Sequence, residues 1–68
     1  MNNKDKRLTV GDKVRFIDKF EIDWDDVYLY IPVGTEGVIT DIDDNFIGVQ
    51  TNTRYGEVFV FDDILELV

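Results

Sequence analysis

Carboxylates are the most abundant reactive side chains of this sequence: fifteen Asp and Glu stand against seven Lys and Arg in 68 residues, with no His, Cys or Ser. That composition removes the usual nucleophiles and the one side chain whose ordinary pKa lies near neutrality. A carboxylate pair can still supply acid and base for glycoside hydrolysis, but only in a shaped cleft that displaces one pKa strongly. A chain this short leaves little room for a substrate pocket, so the expectation is a non-enzymatic protein without catalytic residues or cofactor. Metal chemistry is tested by Asp41-x-Asp43-x-Asn45, which matches the first three ligand positions of an EF-hand loop. The sixth position is Phe46 instead of Gly and the twelfth is Asn52 instead of Glu, so the triplet reads as a solvated turn. The Asp23, Asp25 and Asp26 cluster likewise reads as an exposed loop, and no metal site is expected.

Binding chemistry remains. Residues 1–19 hold six basic and three acidic residues, whereas residues 20–68 hold Arg54 against twelve acidic ones, and the whole chain carries −8. Such asymmetry bears on partners and solubility, not on fold. Asp23, Asp25, Asp26, Asp41, Asp43, Asp44, Asp62 and Asp63 fall in or beside expected turns, where carboxylates can project at spacings resembling phosphates. Trp24, set among Asp23, Asp25 and Asp26, has the form of an aromatic anchor ringed by steering charge. These nine residues form the expected partner-binding set, and a basic, nucleic-acid-binding protein is the expected partner. The bland reading is that the acids keep a small apolar domain soluble. Direct nucleic-acid binding ranks second. Its cations would be Lys4, Lys6, Arg7, Lys13, Arg15 and Lys19, and screening over about 8 Å leaves room for a local basic face on an acidic body.

The elements that must position these residues are all strands. No apolar stripe at helical spacing lasts three turns, while short β-branched and aromatic runs alternate with turn residues. After a loose basic tail, residues 1–9, one domain over residues 10–68 is expected. Gly11-Asp12 makes a turn, residues 13–20 a strand with Val14 and Phe16 on one face, and residues 21–26 an acidic loop. Residues 27–31 alternate aliphatic with aromatic side chains, so Tyr28 and Tyr30 oppose Val27, Leu29 and Ile31, and Pro32 ends the pairing. Gly34 and Gly37 flank a turn where positive φ is available, and residues 38–43 resume a strand. Asp43-Asp44-Asn45 turns into a strand at 46–50, and residues 51–56 turn into another at 57–61. A single helical turn begins at Asp62, whose side chain offers an N-cap oxygen, and residues 65–68 finish the sheet.

That order resembles an SH3-like barrel, five-stranded with a short helical turn before the last strand. More narrowly, Val10-Gly11-Asp12-Lys13-Val14-Arg15-Phe16-Ile17 followed by Gly34-Thr35-Glu36-Gly37-Val38-Ile39-Thr40-Asp41-Ile42 looks like the KOW motif of NusG-type transcription factors and some ribosomal proteins. Residues 56–68 are similar to the end of that module. The resemblance implies contact with RNA or with the transcription and translation machinery, here through Lys13 and Arg15. Two departures are the long acidic segment between Phe20 and Pro32 and the near absence of basic residues after Lys19. A small phage-type or accessory barrel is an equally fair comparison.

The sequence therefore leads to an all-β acidic binding module that docks on a basic protein and acts in its sharpest form as an inhibitor mimicking DNA. A KOW-like accessory module is the alternative. The charged amino terminus leads into no apolar stretch of signal-peptide length, and the longest apolar run is far below a membrane span. A cytoplasmic protein without membrane contact is expected, and an unpaired edge strand leaves room for a homodimer.

Overall fold

A computed structural model of the chain describes residues 8–44 and 46–68. Its elements are β1 (Lys13–Phe16), β2 (Phe20–Trp24), β3 (Val27–Ile31), β4 (Glu36–Ile42), β5 (Ile47–Thr51), β6 (Glu57–Val60), a 3-10 turn at Asp62–Ile64 and β7 (Leu65–Leu67). Alternation of apolar and polar residues decides which side of each strand faces inward. Val14 and Phe16 of β1, Val58 and Val60 of β6, and Ile39 of β4 are buried, with Ile31, Ile47, Val49 and Leu65 completing the core. Leu8, Phe20, Leu29, Tyr55 and Ile64 pack around its margin.

Two antiparallel sheets result. The larger has the order β6-β5-β4-β1-β7 and the smaller is the β2–β3 hairpin. The chain is thus all-β as expected, but among the described residues its backbone ladders leave β6 and β7 as free edges of the larger sheet. In β4 the pairing with β5 shifts between Ile39 and Asp41, inserting Thr40 as an extra residue that bends the strand. Among the described residues no helix is long and apolar enough to cross a membrane.

Several local expectations change. The strand expected over residues 13–20 ends at Phe16, because Ile17 donates its N–H to Ile64 and the Asp18 carboxylate accepts the Lys19 N–H at 2.7 Å. Residues 21–24, expected in a loop, pair fully with β3, leaving Asp25 and Asp26 as the turn. Asp25 takes φ 56°, a left-handed conformation that Asp tolerates better than most residues. Gly34 has the expected positive φ, 95°, whereas Gly37 lies inside β4. The cap of the 3-10 turn is Phe61, and no side chain caps it, so Asp62 does not fill the expected role. Most of the expected tail, with Lys4, Lys6 and Arg7, lies outside the described residues, as does Asn45. Leu8 packs against the core margin, and Thr9 donates both its N–H and its hydroxyl to Asp12 Oδ2.

Gly37 is required by proximity. A Cβ there would lie 2.6 Å from both the Gln50 carbonyl oxygen and Val49 Cγ1, and backbone cannot yield as a flexible side chain can. Gly37→Ala should cost about 1–3 kcal/mol, read as a lower urea midpoint with an unchanged slope in circular dichroism. A wild-type midpoint would show that β4 and β5 are not so close.

Candidate partner-binding surface

The β2–β3 register pairs Phe20 with Ile31, Ile22 with Leu29 and Trp24 with Val27, alternating with Glu21–Tyr30 and Asp23–Tyr28. Directly opposed residues share a face. One face of the hairpin is therefore apolar from base to tip, and the other carries carboxylates and tyrosines. Exposure rises along the apolar face: Ile31 is fully buried, Leu29 is half-buried, and Val27 and Trp24 are 58% and 76% exposed. Ile22, Trp24, Asp25 and Val27 line an open depression of about 220 Å³. The structure thus gathers Asp23, Trp24, Asp25 and Asp26 at one exposed hairpin end, as a strand terminus and turn instead of a loop.

The other expected carboxylates belong to a second location. Asp43 and Asp44 follow β4, where the Asp43 N–H donates to the Phe46 carbonyl and Asp43 Oδ1 accepts the Asp44 N–H, both at 2.8 Å. Asp41 precedes them on β4, and Asp62 and Asp63 open the 3-10 turn after β6. All five are exposed. The Phe46 and Phe61 rings stack with centroids 5.1 Å apart, tying the β4–β5 turn to the end of β6. Phe59 lies across Gly48: a Cβ at that glycine would sit 2.9 Å from the Phe59 ring. Phe46, Phe59 and Phe61 are each about half exposed. Sequence reasoning assigned these phenylalanines no binding role, although the signal was present. Val58 and Val60 occupy the inward face of their strand, which forces Phe59 and Phe61 outward.

Both cations proposed for RNA contact are engaged within the chain. Lys13 Nζ lies 3.4 Å from Glu36 Oε1, across the β1–β4 pairing. Arg15 donates from Nε at 2.9 Å and from Nη2 at 2.6 Å to Glu66 Oε2. Its pKa is raised by that hydrogen bond first and by the Glu66 charge second. These are the ion pairs among the described residues, and neither uses a carboxylate of the partner-binding set.

No protein-family model, curated protein or solved structure matches this chain.

Electrostatics at the hairpin are readable through Tyr28. Its phenol pKa is raised above the ordinary value, first by partial shielding from water, then by the Glu21 charge and hydrogen bond, with smaller effects of Asp23 and Tyr55. The folded chain therefore holds this proton more tightly than the unfolded chain. The resulting stabilisation is complete below the ordinary phenol pKa of about 10 and is lost as pH rises through the folded value. In an alkaline absorbance titration, the component removed by Tyr28→Phe should titrate above a free tyrosine and move down in Glu21→Gln. A component at or below the free value in the wild type would contradict the influence of Glu21 on Tyr28.

Proposed function

We propose that this chain is a non-enzymatic acidic binding module that docks on a basic, nucleic-acid-binding protein and blocks its nucleic-acid site as a DNA mimic. The observation carrying this reading is the hairpin end, where a Trp24 that is 76% exposed stands next to the Asp25-Asp26 turn with Asp23 on the opposite face, and these three carboxylates have no ion-pair partner among the described residues. A tryptophan offers about 150–250 Å² of contact surface, and its exposure to water is compensated when a partner covers it. Carboxylates around it speed encounter with a cationic surface and reject anionic ones. Such a role implies the cytoplasm, and like charge opposes pairing of two copies through this end.

For architecture we favour an SH3-like barrel. The strand order, the bulge in β4 and the single 3-10 turn before β7 support it. The KOW-like alternative would have Lys13 and Arg15 exchange an intramolecular carboxylate for an RNA phosphate, which makes acidic docking the better-supported reading.

Immobilised chain exposed to a cell extract at low salt should retain a basic protein that added duplex DNA or high salt releases. That purified protein should bind the folded Asp23→Asn, Asp25→Asn, Asp26→Asn variant about tenfold or more weakly, a loss of about 1.4 kcal/mol. Trp24→Ala should cost about 2 kcal/mol or more. Equal affinity for the triple variant would remove the hairpin end as the docking site, and retention of RNA blocked by Lys13→Glu with Arg15→Glu would favour the alternative.

A further inference from the structure

The second carboxylate group surrounds a feature that hairpin docking leaves unused. Strand β6 has β5 on one side, and no backbone hydrogen bond from any described residue outside the sheet reaches Glu57–Val60 on the other. Edge strands are ordinarily guarded by Pro, Lys, a bulge or an inward-pointing charge. Strand β6 is short and carries Glu57 at its start, but it has no Pro, Lys, bulge or inward-pointing charge: its sequence is Glu-Val-Phe-Val, its register with β5 is unbroken, and its inward residues are Val58 and Val60. Beside this edge stands the half-exposed shelf of Phe46, Phe59 and Phe61, flanked by Asp41, Asp43, Asp44, Asp62 and Asp63.

We infer that the free edge of β6 takes an extended segment of a partner protein as an added strand, its side chains alternating between aliphatic and Lys or Arg. Backbone groups of the edge supply hydrogen bonds to the segment, and alternate side chains supply selectivity. On the outer face the added residues come within about 5 Å of Phe59 and Phe61, close enough for apolar contact and for cation–π contact with the rings. Charge selects the occupant. A second copy brings the same charge of −8 and adds to the anionic field, whereas a cationic segment neutralises it. The inference rests on the reading of this chain as an acidic module for basic proteins, and it adds a different surface and a different mode of recognition.

The probe is a blocked peptide of alternating valine and lysine, about six residues long, the length of an average strand. Amide-resolved NMR should show shifts centred on Val58, Phe59 and Val60, with slowed hydrogen exchange along β6. Methylating alternate peptide nitrogens should abolish binding. Phe59→Ala and Phe61→Ala, both at exposed positions, should each weaken it several-fold, while the Asp23→Asn, Asp25→Asn, Asp26→Asn variant should bind the peptide as the wild type does. Shifts confined to the hairpin end, or equal binding of the methylated peptide, overturn the inference. If β6 stays silent while the hairpin variant loses its captured protein, strand addition alone is wrong. Protection of β6 without any protein captured through the hairpin removes the hairpin docking and leaves strand addition standing.

Discussion

The burial of Ile31 governs what this molecule shows to its surroundings. The β2–β3 hairpin forms its own sheet, separate from the five-stranded ladder, so the side chains at its base hold it to the body. Ile31 is completely buried, and Phe20, its partner across the hairpin, packs at the core margin. Strand side chains alternate, and a slip of one residue would turn every one of them to the opposite face. Fixing Ile31 inward therefore fixes Leu29 and Val27 on the same face and Tyr28 and Tyr30 on the other. It also leaves Trp24 and Val27 beyond the reach of the core, since a hairpin whose contacts with the core stop at Leu29 cannot cover its own end.

Two glycines play a comparable part in the larger sheet. Gly37 lets β4 approach β5 where any side chain would meet the Gln50 carbonyl, and Gly48 provides the space into which Phe59 and Thr40 settle. Thr40 then donates to Glu57 at 2.6 Å, linking β4 to β6 across the strand between them. The basic residues of β1 are drawn into the same economy of contacts: Lys13 and Arg15 spend their charge on Glu36 and Glu66, next to them in the sheet. The aspartates in the turns have no such neighbours among the described residues, so the surface left over there is strongly anionic.

Much of this was legible in the sequence, and the exceptions have physical reasons. Val14, Phe16, Ile47 and Val49 lie in short alternating runs bounded by turn residues, and all four are buried. Residues 20–24 alternate as well, Phe-Glu-Ile-Asp-Trp, yet the low strand propensity of Asp and Glu outweighed the period. Their pairing depends on β3 lying opposite, which a local reading does not weigh. Gly37 was assigned to a turn because positive φ is glycine's commoner use, while close approach of two strands depends on a partner thirteen positions away, Gln50. The carboxylates were correctly expected at the surface, but their division into two groups follows from strand order, which spacing along the chain does not encode.

That division sets the scale at which the molecule is sensed. Strand β5 spans five residues, about 16 Å at the usual rise. It runs from the phenylalanine shelf towards the turn that holds Tyr55, whose phenol, once ionised, bears on Tyr28 of the hairpin. Salt at physiological strength damps a charge within about 8 Å, and the body is 44 Å long. A visitor at one acidic pole therefore feels almost nothing of the other. To a charge approaching in physiological salt, this chain is less a single ion of −8 than two separate anionic patches, each met largely on its own terms.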